Sequence, residues 1–285
     1  MLTSPGPNYN YDVEEVVRAY EKAIDAILRE LERIDLTNFQ RANALATLKS
    51  ISEILAELNE QAGKLAQERV EKATRDGVIR ALISLEVAAS VVEAEKIVAF
   101  NRLNKEMVAA AVADTQADLL AVTQNIEKKV RAAVRQATAE AMRNNLPRGI
   151  NASDPIRRAI LADLRKTLGD SVNTGIIDAA GRRWKPTTYV DVLVRTKMMQ
   201  AHKEATINEA VPRGAVYGII SKHGAKDACR NYEGKIVKLD RSAEGNYPYI
   251  YDLPKREIFH PYCKHVVSPF RRIDRLPADI QQANT

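Results

Sequence analysis

Apolar residues recur every three or four positions through most of the first half of the chain, a period that predicts helices rather than strands. After a Pro- and Gly-containing arm at residues 1–11, Asp12 is placed to cap a helix. Its stripe is Val13, Val16, Val17, Tyr20, Ile24, Ile27, Leu28, Leu31 and Ile34. Thr37 or Asn38 is placed to cap a second helix, with Leu45, Leu48, Ile51, Ile54, Leu55, Leu58, Leu65 and Val70 as its stripe and Gly63 as an interior weak point. A third is predicted from Asp76 to Phe100, with Gly77 near a junction, and an alanine-rich fourth from Leu103 to Arg143. Segments this long exceed the usual helix of about 10–14 residues.

Asn145 to Pro155 interrupts the pattern with Pro147, Gly149 and Pro155, and Ser153 is placed to cap a short helix that ends at Gly169. An irregular stretch follows, and then a helix from about Thr188 that ends before Pro212. Beyond Val211 the pattern changes to short β-prone runs, AVYGII, KIVKLD and HVVSPF, separated by Gly224, Gly234, Gly245, Pro248, Pro254 and Pro261. The expected fold is mainly α: a long helical bundle or extended helical arm followed by a small irregular α+β module with two to four strands. The expected divisions are a flexible arm at 1–11, a long-helix domain at 12–146, a helical connector at 153–210, the small module at 211–272 and a tail at 273–285.

Composition narrows the function classes. An apolar fraction of 45% argues against wholesale disorder, while the 5% aromatic fraction leaves Ala, Leu, Val and Ile to build the core. The formal charge of +6 permits contact with nucleic acid without requiring it. The candidates for DNA or partner contact are Arg182 and Arg183 beside the single tryptophan, Trp184, and Arg271, Arg272 and Arg275. For each arginine the plain alternative is a solvated side chain, and for Trp184 it is core packing. No signal-peptide pattern opens the sequence, and no window approaches the ~20 apolar residues needed to span a bilayer.

Candidate chemistry is concentrated in the small module. It holds both cysteines and three of the four histidines, as His223-Gly-Ala-Lys-Asp-Ala-Cys229 and His260-Pro-Tyr-Cys263-Lys-His265. Two turns with these residue types supply the ligand count of a tetrahedral zinc site, from His223, Cys229, His260 and Cys263, with His265 as an alternate ligand. A structural zinc would contribute folding energy to a module with few large apolar residues. The alternatives are two packed thiols or a disulfide, with His260 bonded to a backbone carbonyl. A catalytic reading has less behind it: no third residue orients a Cys–His pair, and the module's carboxylates are scattered. There is no phosphate loop, GxGxxG or HExxH.

The stretch from Asp191 to Phe270 resembles the C-terminal module of the phage head morphogenesis family, which includes the minor capsid proteins of tailed phages. The resemblance is carried by Arg195 and Thr196, by His223, Cys229, Gly234 and Lys235, and by the closing His260, Pro261, Cys263 and Pro269. His265 departs from the pattern, standing where such proteins often carry another cysteine or a polar residue. The resemblance implies a low-copy virion component of the inner head or portal region, present in host cytoplasm during assembly. It implies a role in procapsid assembly and partners in the portal or major capsid protein. Packaged DNA would be met through non-specific contacts, and the long helices offer a route to self-association. A nucleic-acid-binding packaging or ejection protein is the alternative, and a toxin-like or metal-dependent enzyme a weaker one. Fused domains are known after this module in relatives, and none is expected in the few residues that follow SPF.

Overall fold

The computed structural model describes residues 6–34, 41–145, 154–173, 175–178 and 181–284. The expected caps at Thr37, Asn38 and Ser153, and the interruption at Pro147 and Gly149, lie outside the described residues. Helices dominate: α1 (Asn10–Glu32), α2 (Arg41–Ser84), α3 (Val91–Ile97), α4 (Arg102–Asn145), α5 (Asp154–Asn173), α6 (Pro186–Ala210) and α7 (Ala278–Gln282). A two-residue hairpin, β1 (Ile176–Ile177) with β2 (Arg183–Trp184), precedes α6. Strands β3 (Tyr217–Ile220), β4 (Ile236–Lys238) and β5 (Val267–Phe270) form an antiparallel sheet in the order β4-β3-β5.

The chain folds into two compact units, each built from segments that are separate in the sequence. One comprises Glu14–Leu65 and Gln116–Asp191; the other comprises Met1–Val13, Ala66–Thr115 and Val192–Thr285. The first unit is a helical bundle. Tyr20, Ile27, Ile51, Leu119 and Ile126 are fully buried there, each contributing roughly 1.5–3 kcal/mol by leaving water. Polar bonds set the helix pairing. Tyr20 Oη donates to the Leu119 carbonyl (3.0 Å), Gln116 Nε2 to the Gly63 carbonyl (3.0 Å), and Arg131 bridges Ser52 and Glu127 (2.8 Å to each). Of the stripes read from the sequence, Val16, Tyr20, Ile24, Ile27, Leu31, Leu48, Ile51, Leu55 and Leu58 are buried in this unit, while Leu45 is exposed.

The second unit carries the sheet. Its α2 segment does not continue to Phe100: the helix stops at Ser84, Glu86 turns to a positive φ of 57°, and Val87 and Ala88 donate back to the Leu82 carbonyl. Ser90 then caps α3, its side chain accepting from the Glu93 amide while the Glu93 carboxylate accepts from the Ala89 amide. Asn101 caps α4 by accepting from the Asn104 amide at 2.8 Å. Asp12 sits inside the first turn of α1 rather than at its cap, buried against Lys72 Nζ (2.7 Å) and Arg69 (3.4 Å). The described part of the N-terminal arm is packed: Tyr9 is buried, and Gly6 lies so close to the Lys264 carbonyl that a Cβ would meet it at 2.8 Å.

Both faces of the sheet are covered. Ile220, Val237 and Val267 join Leu85, Ile207, Ile250 and Ile258 in one cluster, while Ile219, Ile236 and Phe270 join Leu276 in another. Pro269, which cannot donate to a ladder, is confined to the edge strand β5. The expected tail folds back: Asn284 accepts from the Ile236 amide (2.8 Å) and donates to the Gly234 carbonyl (3.0 Å), covering the β4 edge. Asn284→Ala should therefore strand a buried amide and cost about 1–3 kcal/mol in urea unfolding. An unchanged midpoint would show that the C-terminal segment does not support the sheet.

Candidate metal centre

Two turns at one end of the sheet bring the cysteines and histidines together. The first leaves β3. Asp227 accepts the Cys229 amide at 3.1 Å and starts a 3-10 turn, Ala228–Tyr232, which points the Cys229 thiol inward. The second precedes β5 and is closed by the Cys263 amide donating to the His260 carbonyl at 3.0 Å. Phe259 and Tyr262 in this second turn have positive φ of 55° and 73°. For residues with a Cβ that conformation costs roughly 1–2 kcal/mol each. Helix α6 holds both. Lys203 Nζ lies 4.8 Å from the Phe259 ring centre, and the Arg195 guanidinium 4.8 Å from that of Tyr262. Thr196 Oγ1 also accepts the Tyr262 amide at 3.3 Å. The Arg195–Thr196 pair is thus a grip on the His-Pro-Tyr-Cys turn.

Cys229 and Cys263 are buried free thiols with sulfurs 3.7 Å apart, in contact and not bonded. His260 Nε2 lies 3.0 Å from Cys229 Sγ, and His265 Nδ1 lies 3.4 Å from Cys263 Sγ. The outer nitrogen of each ring is engaged elsewhere. His260 Nδ1 donates to the Pro261 carbonyl at 2.7 Å, and His265 Nε2 donates to Glu233 at 3.3 Å. Carbonyls and carboxylates only accept, so the outer nitrogens carry the protons and the inner ones present lone pairs to the thiols. The ligand atoms of Cys229, His260 and Cys263 all lie within 4.8 Å of one another.

His223, which the sequence placed among the four ligands, is drawn into a different group. Its ring leans on His265 with centres 4.2 Å apart, and its Nδ1 is 4.0 Å from Glu233. Glu233, His223 and His265 form the second metal-capable cluster among the described residues. Sequence reasoning left Glu233 among scattered acids, yet it organises the first turn: it accepts the amides of His223 (2.8 Å) and Ala225 (3.1 Å). Burial by itself would raise its pKa, but those amides, the His265 ring and the Gly224 amide hold its carboxyl down at about 2. Burial, then the neighbouring His223, lowers the pKa of His265. Burial, with Cys263 and Asp227 beside it, pushes the Cys229 thiol up, away from the thiolate that a nucleophile needs. A cleft of about 460 Å³ lined by His223, Asp227, Cys229, His260, Cys263 and His265 opens onto the cluster.

The family model described as phage minor capsid protein 2 matches residues 12–284, both helical units and the sheet included. The chain belongs to that family. No curated protein and no solved structure matches it. Membership makes it a virion structural protein with a capsid-related role and virion proteins as partners. Among the described residues, no helix is long and apolar enough to cross a membrane.

In this minor capsid family member, most of the basic candidates are held by neighbours. Arg271 donates to the carbonyls of Arg213 (3.1 Å) and Leu85 (3.2 Å), tying β5 to the end of α2. Arg272 is paired with Asp274, and Arg275 lies near the same carboxylate. Arg182 pairs with Asp178 at 2.7 Å, while Arg183 is exposed. Trp184 donates its Nε1–H to Asp178 at 3.0 Å and lies under Arg182, which makes it a brace of the β1–β2 hairpin. The Trp184 bond comes first among the interactions that hold the Asp178 carboxyl down at about 2.

Proposed function

We propose that this protein is a low-copy structural component of the procapsid, seated on the inner head near the portal and held there by the portal or major capsid protein. The observation that carries the reading is the family match from residue 12 to 284. A surface feature supports it. Val91, Val92 and Ile97 on α3 and Leu103 at the start of α4 are exposed, Val92 to 62%, an apolar surface suited to burial by a protein partner. Arg182, Arg271 and Arg272 already have partners within the chain, which reduces what they offer to packaged DNA.

Quantitative mass spectrometry of purified mature particles and empty procapsids tests this role. Detection in both, at a few to a few tens of copies, is the expected result. Absence from both, with abundant protein in the infected cytoplasm, would overturn it and favour a free DNA-binding or enzymatic role. Depletion from particles that have released their DNA would extend the role to ejection. Val92→Glu should leave stability within about 0.5 kcal/mol of wild type and sharply reduce incorporation. Normal incorporation of that variant would remove α3 as a docking surface.

A further inference from the structure

We propose that Cys229, Cys263, His260 and His265 hold one zinc ion in a closed tetrahedral site that locks the two turns of the module together. The inference concerns a ligand site and stands apart from where in the particle the protein sits. Three observations lead to it. Two sulfurs bound to one tetrahedral zinc at about 2.3 Å each stand about 3.8 Å apart, and those of Cys229 and Cys263 are 3.7 Å apart. His260 Nε2 faces Cys229 Sγ at 3.0 Å and His265 Nδ1 faces Cys263 Sγ at 3.4 Å, each with the lone pair that would ligate the ion. The outer N–H of each ring is fixed by an acceptor, the Pro261 carbonyl for His260 and Glu233 for His265, the arrangement that orients zinc-ligating imidazoles.

His265 rather than His223 completes the set. The His265 side chain is 1% exposed and its Nδ1 points at Cys263, whereas His223 turns to Glu233 and packs over the His265 ring. Asp227 is the other oxygen nearby, 3.5 Å from His260 Nε2, but its side chain is 59% exposed and it caps the Cys229 turn. Both thiols lose their protons to solvent when the ion binds, so the site carries no net charge: two thiolates balance one zinc dication. The open cleft beside the cluster provides a route for the ion.

The test is made on the full chain. Elemental analysis after purification without chelator should return one zinc per chain. Cobalt(II) added to chelator-stripped protein should give a thiolate-to-cobalt charge-transfer band and the intense visible bands of a tetrahedral site. Cys263→Ser and His265→Ala should lower metal affinity at least a hundredfold, and Glu233→Gln about tenfold to a hundredfold. His223→Ala should keep full stoichiometry. Wild-type protein that binds neither zinc nor cobalt would overturn the site, and this arm needs no variant to fold. Loss of metal in His223→Ala with retention in His265→Ala would overturn the ligand set.

Discussion

Gly77→Ala is expected to destabilise the protein by about 3 kcal/mol, at the upper end of what overpacking costs. Helix propensity predicts the opposite sign, a gain of about 1 kcal/mol for alanine over glycine inside a helix. The reversal comes from the approach of α2 to α6. A Cβ at Gly77 would stand 2.3 Å from the His202 carbonyl oxygen and 2.9 Å from Ala205 Cβ. Backbone cannot rotate aside as a side chain can, so the helices must separate. Thr206 Oγ1, which donates to the Gly77 carbonyl at 3.0 Å, would lose its geometry. Gly63, in the same helix, is the control. Its nearest neighbour for a Cβ is Gln116 Nε2 at 3.6 Å, an ordinary contact, so Gly63→Ala should be neutral to stabilising. Urea unfolding of both variants checks the pair. Equal stabilisation by the two alanines would show that α2 and α6 do not meet at Gly77.

His202 is expected to make stability fall as the solution is acidified from about pH 6.5. Its ring is buried on α6, and Nδ1 has no hydrogen-bond partner among the described residues. Burial, then the charge of Arg80, holds its pKa down at about 3. The unfolded chain therefore takes up a proton below about pH 6.5 that the folded chain refuses until about pH 3. The contribution is complete above about pH 6.5 and declines below it by up to about 1.4 kcal/mol per pH unit. His202→Leu removes the titrating group. Between about pH 7.5 and pH 5, wild type should lose about 2 kcal/mol more than this variant. The other three histidines are present in both proteins and drop out of the difference. Parallel pH profiles for the two proteins would show that the imidazole at position 202 titrates alike in the folded and unfolded chain, as a solvated ring does.

Much of the fold is legible because local periodicity is a local property. The stripes from Val13 to Ile34 and from Leu45 to Val70 mark helix faces, and Val16, Ile27, Ile51 and Leu58 on those stripes are buried. The strand runs around Ile219, Val237 and Val267 are equally plain, since their neighbours Ile220 and Ile236 are apolar too and the sheet is covered on both faces. The break between α2 and α3 is written in Ser90 and Glu93, but a continuous apolar pattern from Val78 to Val98 hides it. The β1–β2 hairpin is too short for any periodicity to register.

The sequence by itself determined the helical faces, the strand runs and the turns that carry the cysteines and histidines, because each depends on residues within a few positions of one another. Tertiary structure alone decided three further things. It joined segments 66–115 and 192–285 into one unit, and it turned Gly77 from a junction into a point of helix contact. It also set His265 rather than His223 against the sulfur of Cys263. That last choice follows from Glu233: its carboxylate, fixed by the His223 and Ala225 amides, takes the outer N–H of His265 and turns the ring's free nitrogen inward. Spacing along the chain cannot encode such a choice, because it depends on where an acid 32 residues away comes to rest.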